Sequence, residues 1–208
     1  MKTNITEAPS LTNEQILTLI AHHEAGHAVV AHHHGLPVHS LELREDNTGG
    51  RWSADGITYV EYASVNATPF AVMALAGEIA GLKWLDQTNL RSEETVQAAN
   101  ADHDREESNA LFTEDGVDVD WSAVEATAHA DVTALWAQIT AVANAAVEKG
   151  RLKGSEITAL ITNPTLCFRY QHGTPDGWTA SEFESYEHIA DIDAHRRRAQ
   201  LVALAPAA

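Results

Sequence analysis

The feature that most constrains the fold is a long apolar segment with helical periodicity, which carries two histidines four positions apart. Thr12 and Gln15 have the spacing of a capping box, which predicts that a helix begins at about Asn13. Gly35 predicts its end near His34. Apolar side chains recur along one stripe of this segment, so we expect one face of the helix to be buried.

The two histidines indicate a metal site on this helix. His23 and His27 lie one turn apart, so both imidazoles can reach one ion. Glu24 lies beside them, in the HExxH pattern in which Zn²⁺ acidifies a water and the glutamate accepts its proton. The alternative is two surface histidines with an incidental glutamate. The apolar neighbours favour the metal, because burying an unpartnered carboxylate is costly.

A catalytic zinc needs a third protein ligand. His33 stands at the position that a metzincin would use, but the predicted helix continues past it and turns it away. We therefore interpret His32–His34 as a polar helix end. The remaining acidic clusters are Asp102-His103-Asp104 and Glu106-Glu107, and the pattern alone does not choose among them.

The rest of the chain predicts the α+β class, mainly helical with a small β-hairpin or sheet. Alternating and β-branched patterns predict strands around Leu41–Leu43 and over Ile57–Tyr62. Caps and periodicity predict further helices over 69–84, 93–99, from 102–104 through Leu111, 121–149, 156–161 after a cap at Ser155, and 181–201. We expect a loose N-terminus over 1–11, one domain over 12–162, and a C-terminal extension with one helix over 163–208.

Composition predicts a soluble cytoplasmic protein. The formal net charge of -17 disfavours nucleic acid and anionic membranes as partners. The N-terminal residues lack a signal-peptide core, and no stretch reaches the roughly 18 apolar residues of a membrane span. The single cysteine, Cys167, fits a reducing compartment.

Three segments resemble the peptidase domain of the FtsH family of zinc proteases. The first is HEAGHAVVAHHHGLPVHSLEL, which begins at His23 and is similar to the family's metal-binding helix and following strand. The others are MALAGEIAG at Met73–Gly81, similar to a buried helix, and AVANAAVEKGRLKGSEITALI, similar to the closing helix pair. The resemblance covers about residues 13–162 and implies an FtsH-peptidase-like metalloprotease domain.

The resemblance also implies the third ligand. The family's ligand is an aspartate followed by a small residue at plus four and an aliphatic residue at plus seven. Asp104 fits this pattern with Ser108 and Leu111, whereas Asp102 does not. The implied site is therefore His23, His27 and Asp104 around Zn²⁺, with Glu24 as the catalytic base. The alternative role for either aspartate is a helix N-cap.

The implied activity is a zinc-dependent peptidase acting on peptides or unfolded segments. The sequence has no Walker motif and no match to the family's ATPase module, so we expect cleavage to be independent of ATP. The alternatives are a non-catalytic zinc-binding regulator or adaptor and a structural protein with a fortuitous motif. FtsH peptidase domains form hexameric rings, so a homo-oligomer is compatible with the resemblance, but a chain without the ATPase need not form one.

Two details of the family pattern are less well matched. The family's acidic residue is missing at Gly81, and Glu78 lies one turn earlier. The stretch corresponding to the family's substrate-binding edge strand is Gly50–Ser53, which either accepts a peptide by strand addition or merely packs a hairpin through Arg51 and Trp52. Asp102 and Glu78 are candidates for orienting the imidazoles.

Overall fold

The computed structural model of the protein describes residues 2–5, 10–48, 52–99, 102–163 and 166–167. These residues form a mainly helical structure with one small antiparallel sheet, which confirms the predicted α+β class. In chain order the elements are β1 (Lys2–Ile5), α1 (Asn13–His33), β2 (Val38–Asp46), β3 (Ser53–Val60), a 3-10 turn (Ser64–Asn66), α2 (Ala67–Gln87), α3 (Glu93–Ala98), α4 (Asp102–Glu114), α5 (Trp121–Ala134), α6 (Trp136–Lys149), β4 (Arg151–Lys153) and α7 (Gly154–Thr162).

Helix α1 is the centre of the structure. Its capping box is formed, because the Thr12 hydroxyl accepts a hydrogen bond from the Gln15 amide at 3.2 Å and the Gln15 side chain accepts one from the Thr12 amide at 2.8 Å. Its residues from Leu19 to Ala31 are buried, since α2, α6 and β3 all pack against it. Polar side chains in this stretch must therefore find their partners inside the protein.

The α1–α2 packing depends on a glycine. A Cβ at Gly26 would lie 2.5 Å from the carbonyl oxygen of Ala76 and 2.8 Å from the Cβ of Ala80. Because the first of these atoms is backbone, it cannot move aside without shifting α2. Gly26 therefore permits α1, the helix that carries His23 and His27, to approach α2 closely.

The sheet has the strand order β1-β3-β2-β4, with all neighbours antiparallel. The prediction of a loose N-terminus was wrong for Lys2–Ile5, which pair with β3 from Lys2 opposite Ile57 to Ile5 opposite Ala54. A four-residue strand on an edge is held by backbone hydrogen bonds, so it needs no hydrophobic alternation that a sequence pattern would reveal.

Large apolar side chains from the helices and the sheet form one core. Each such side chain contributes roughly 1.5–3 kcal/mol on full burial. The largest fully buried members are Leu19, Ile20, Leu41, Met73, Leu85, Ile139, Leu152 and Ile157. No helix in the described part of the chain is both long enough and apolar enough to cross a membrane.

The predicted helix over 121–149 is broken at Leu135 into α5 and α6. Leu135 has φ −99° and ψ 11°, which interrupts the helical backbone. The sequence has no proline or glycine there, so local signals favoured continuity. The two halves pack on different partners, α5 mainly on α2 and α6 mainly on α1, and tertiary packing therefore overrides local preference.

The last described helix, α7, begins at Gly154 rather than after Ser155 as predicted. Its start is capped by Glu156, whose Oε2 accepts a hydrogen bond from the Lys153 amide at 2.9 Å. The preceding residues form β4, a strand the sequence did not predict, which pairs with β2. The predicted C-terminal helix over 181–201 lies outside the described residues.

Candidate metal centre

Three buried side chains from two distant helices converge on one point. Helix α1 presents His23 and His27, and α4 presents Asp104, which is 2% exposed. The Oδ2 atom of Asp104 lies 3.0 Å from Nε2 of His23 and 3.2 Å from Nε2 of His27. The structure thus brings together the three residues proposed as ligands from the sequence. Of Asp102, the rejected candidate, the side chain lies outside the described part.

Helix α2 orients the His27 imidazole and leaves space for both rings. The carbonyl oxygen of Met73 accepts a hydrogen bond from Nδ1 of His27 at 2.8 Å, which directs Nε2 toward Asp104. Such a bond to the second ring nitrogen orients a metal-ligating histidine and sets its tautomer. A Cβ at Gly77 would lie 2.5 Å from Nε2 of His27 and 2.7 Å from Nε2 of His23. Gly77 therefore provides the space in which the two rings meet.

Glu24 is fully buried beside these residues and is held by β3. The hydroxyl of Thr58 donates a hydrogen bond to its Oε2 at 2.7 Å and lies 3.1 Å from its main-chain oxygen. A Cβ at Gly56 would lie 2.6 Å from Glu24 Cγ and 3.0 Å from its Oε1. One carboxylate oxygen is thus fixed, and the other, Oε1, has no hydrogen-bond partner among the described residues.

The electrostatics of the centre favour a cation between Asp104 and the imidazoles. Burial by itself raises the pKa of Asp104. The charge of His27 and the hydrogen bonds from both histidines have a larger, opposite effect, so the pKa of Asp104 lies well below its usual range. Burial lowers the pKa of His27, but the charge of Asp104 and its hydrogen bond outweigh it, so that the pKa is raised. A metal ion between the carboxylate and the imidazoles would be stabilised by the same negative charge.

The donor set fits a transition-metal ion. Two ligand atoms at about 2.1 Å from a tetrahedral zinc lie roughly 3.4 Å apart, close to the 3.0 and 3.2 Å separations found here. Two imidazoles with one carboxylate suit zinc and similar ions better than Ca²⁺ or Mg²⁺. Within the described residues, Oδ1 of Asp104 and Nδ1 of His23 are also buried without hydrogen-bond partners. No described protein group donates a hydrogen bond to Oδ1 of Asp104, so a bound ion could coordinate this oxygen.

Sequence reasoning missed Met73, Gly77 and Thr58. The carbonyl of Met73 could not be predicted, because its role depends on position and not on residue type. Gly77 is a glycine inside an apolar helical segment, and this pattern is a weak indication of close packing at that position. Of the proposed orienting residues, Glu78 lies half-buried on α2, directly after Gly77.

The stretch proposed to bind substrate falls partly outside the described residues, which exclude Gly50 and Arg51. Ala54–Ile57 already pair with β1 on one side and β2 on the other, so they have no free edge for a peptide. The indole of Trp52 donates a hydrogen bond to Glu45 at 3.1 Å, which is the contact expected of a residue that packs the hairpin. Strand addition here therefore stays a prediction for Gly50–Ser53 alone.

The site must be interpreted from its own chemistry. The sequence was compared with profiles of known protein families and with functionally characterised proteins, and neither comparison found a significant match.

Proposed function

We propose that the protein is a zinc-dependent peptidase that hydrolyses peptides or unfolded polypeptide segments without ATP. The observation that carries this proposal is the buried convergence of His23, His27 and Asp104 next to Glu24, a carboxylate with one oxygen anchored and one free of protein hydrogen bonds among the described residues. The resemblance of the HEAGH segment to FtsH-type peptidases supports the same assignment.

Each residue of the centre would have its own chemical role. His23, His27 and Asp104 would hold the zinc ion, which when bound lowers the pKa of a coordinated water and polarises the scissile carbonyl. Oε1 of Glu24 accepts the proton of the attacking water and delivers it to the nitrogen of the leaving amine. Thr58 keeps Oε2 in place and leaves Oε1 as the carboxylate oxygen without a hydrogen-bond donor among the described residues. Burial of all four side chains excludes bulk water, which strengthens each electrostatic contact.

The position of Glu24 favours a peptidase over a zinc-binding regulator. A site that only stores or senses zinc needs its ligands, but it has no need of a buried carboxylate that is not one of them. Burying such a carboxylate costs free energy unless it is hydrogen-bonded, and Glu24 has only one of its two oxygens satisfied by the described residues. A role for Glu24 as the general base would explain this cost in free energy.

The test compares the wild type with Glu24→Gln, which keeps the size of the side chain but removes the base. After exhaustive dialysis, both proteins should retain about one tightly bound zinc per chain. Cleavage of an unstructured peptide library should fall by about 10²- to 10⁴-fold in Glu24→Gln. The exposed Glu125→Gln is the matched control and should cleave normally.

Three results would contradict the proposal. A wild type without any transition metal would remove the centre. Zinc without cleavage of any peptide would favour the non-catalytic regulator. Equal cleavage by wild type and Glu24→Gln would show that the activity does not come from this site.

A further inference from the structure

A second group of metal-ligating side chains lies where the end of α1 meets α5. His33 is the last residue of α1, His34 follows it, and Asp131 lies in the last turn of α5. Nε2 of His34 lies 2.7 Å from Oδ2 of Asp131, and Nε2 of His33 lies 3.9 Å from Oδ1 of the same carboxylate. The ligand atoms of all three residues lie within 4.8 Å of one another.

The geometry is that of an open chelate and not of a closed hydrogen-bond network. The 3.9 Å separation is too long for a hydrogen bond, so Asp131 binds His34 directly and only faces His33. Ligand atoms around a tetrahedral zinc lie roughly 3.4 Å apart, between the two distances observed. The His33 side chain is 51% exposed, so it can rotate to close this difference without disturbing the core.

We propose that His33, His34 and Asp131 bind a second divalent transition-metal ion, such as Zn²⁺, Ni²⁺ or Co²⁺, which ties the end of α1 to α5. Two imidazoles and a carboxylate select such ions over Ca²⁺ and Mg²⁺. The C-terminal end of a helix carries partial negative charge, and the chain has a net charge of -17, so both local and overall fields attract a cation.

This ion is distinct from the one in the buried centre. His33 follows His27 by six residues, roughly 9 Å of helical rise, which is too far for one ion to bind both. The side chains of His34 and Asp131 are 23% and 16% exposed, so water completes the coordination and the ion exchanges with solvent. The proposal does not depend on peptidase activity.

The test is equilibrium dialysis of the metal-stripped chain against Zn²⁺ at neutral pH. Wild type should bind two ions per chain, and both His34→Gln and Asp131→Asn should bind one. His103→Gln is the matched control, because His103 forms a single exposed histidine–carboxylate pair with Glu107 at 3.1 Å and should leave the stoichiometry at two. His23→Gln should lose the buried ion and keep this one.

A second readout does not rely on counting ions. In ¹⁵N spectra of the imidazoles, Zn²⁺ beyond the first equivalent should shift the Nε2 signals of His33 and His34, but not that of the exposed His39. Equal numbers of bound ions in wild type, His34→Gln and Asp131→Asn, or unshifted His33 and His34 signals, would each overturn the proposal.

Discussion

The hydroxyl of Thr58 determines which oxygen of Glu24 is available. It donates to Oε2 from β3, while Oε1 receives no hydrogen bond from the described residues. A carboxylate whose two oxygens both lacked hydrogen bonds could rotate between several orientations. A single short hydrogen bond from β3 therefore positions the proposed base.

We expect Thr58→Val to slow peptide cleavage by about 10- to 100-fold with zinc retained, as is usual when an outer hydrogen-bond partner of a metal site is removed. The buried carboxylate also loses its donor, so the free energy of unfolding should fall by about 1–3 kcal/mol. Thr58→Ser keeps the hydroxyl and should restore most of both. Normal kcat in Thr58→Val would show that the hydroxyl does not position Glu24.

The exchange of one oxygen for nitrogen in Asp104→Asn tests the third ligand. The amide cannot provide the charge that offsets a divalent ion, so we expect tight zinc and cleavage to be lost together. Metal content by plasma mass spectrometry measures this directly. Asp118→Asn, on an exposed aspartate, should keep its zinc. Tight zinc in Asp104→Asn would mean that another carboxylate is the ligand.

At the scale of elements, α2 packs against the candidate metal ligands of α1. It supplies the Met73 carbonyl to His27 and, one turn later, the space at Gly77 in which both rings lie. The same helix approaches α1 closely at Gly26. Secondary-structure position, rather than side-chain chemistry, is thus what α2 contributes to the site.

Two glycine-to-alanine changes on α2 separate site geometry from helix stability. Gly77→Ala should weaken zinc binding by about 10- to 100-fold, because its Cβ would come within 2.5 Å of the His27 ring. Gly81→Ala lies one turn later, where the described residues that a Cβ would meet are Leu19, with Cδ1 at 3.3 Å, and Ala99, with Cβ at 3.6 Å. It should keep zinc and gain up to about 1 kcal/mol of stability. Competition with a chromophoric chelator measures both affinities, and equal affinities would refute the steric argument.

At the scale of the whole molecule, a buried histidine outside the candidate metal centre makes stability depend on pH. His22 lies between Trp84 and Trp136, with ring centroids 5.7 and 5.6 Å away. Burial lowers its pKa from 6.5 to about 4, although a hydrogen bond to the Thr18 carbonyl acts in the opposite direction. Because the unfolded chain binds the proton more readily, this stability is complete above pH 6.5 and is lost as the pH falls toward 4.

We expect His22→Phe, which keeps an aromatic ring between the tryptophans but cannot bind a proton, to lose less stability in acid than wild type. Between neutral pH and about pH 5, the difference in the loss should be about 2 kcal/mol. Urea unfolding at both pH values measures it, with a chelator present so that metal release does not contribute. His103→Gln, at an exposed histidine, should follow the wild type. Parallel losses in His22→Phe and wild type would show that His22 is not the group responsible.

The sequence by itself determined the features that arise within a few residues of chain. The capping box at Thr12, the helix that follows it and the placement of His23 and His27 on one face all depend on such local spacing. The α+β class followed from the same kind of pattern. The choice of Asp104 needed more, namely a family resemblance, because nothing local distinguishes a ligand from a cap.

Tertiary structure alone decided what completes the site. Thr58 meets Glu24 across 34 residues, and the Met73 carbonyl meets His27 across 46. Packing also divided the predicted 121–149 helix at Leu135 and paired Lys2–Ile5 with β3. These contacts join groups whose spacing along the chain has no fixed relation to their spacing in the fold. They depend on how whole helices and strands pack together, which no local pattern of residues encodes.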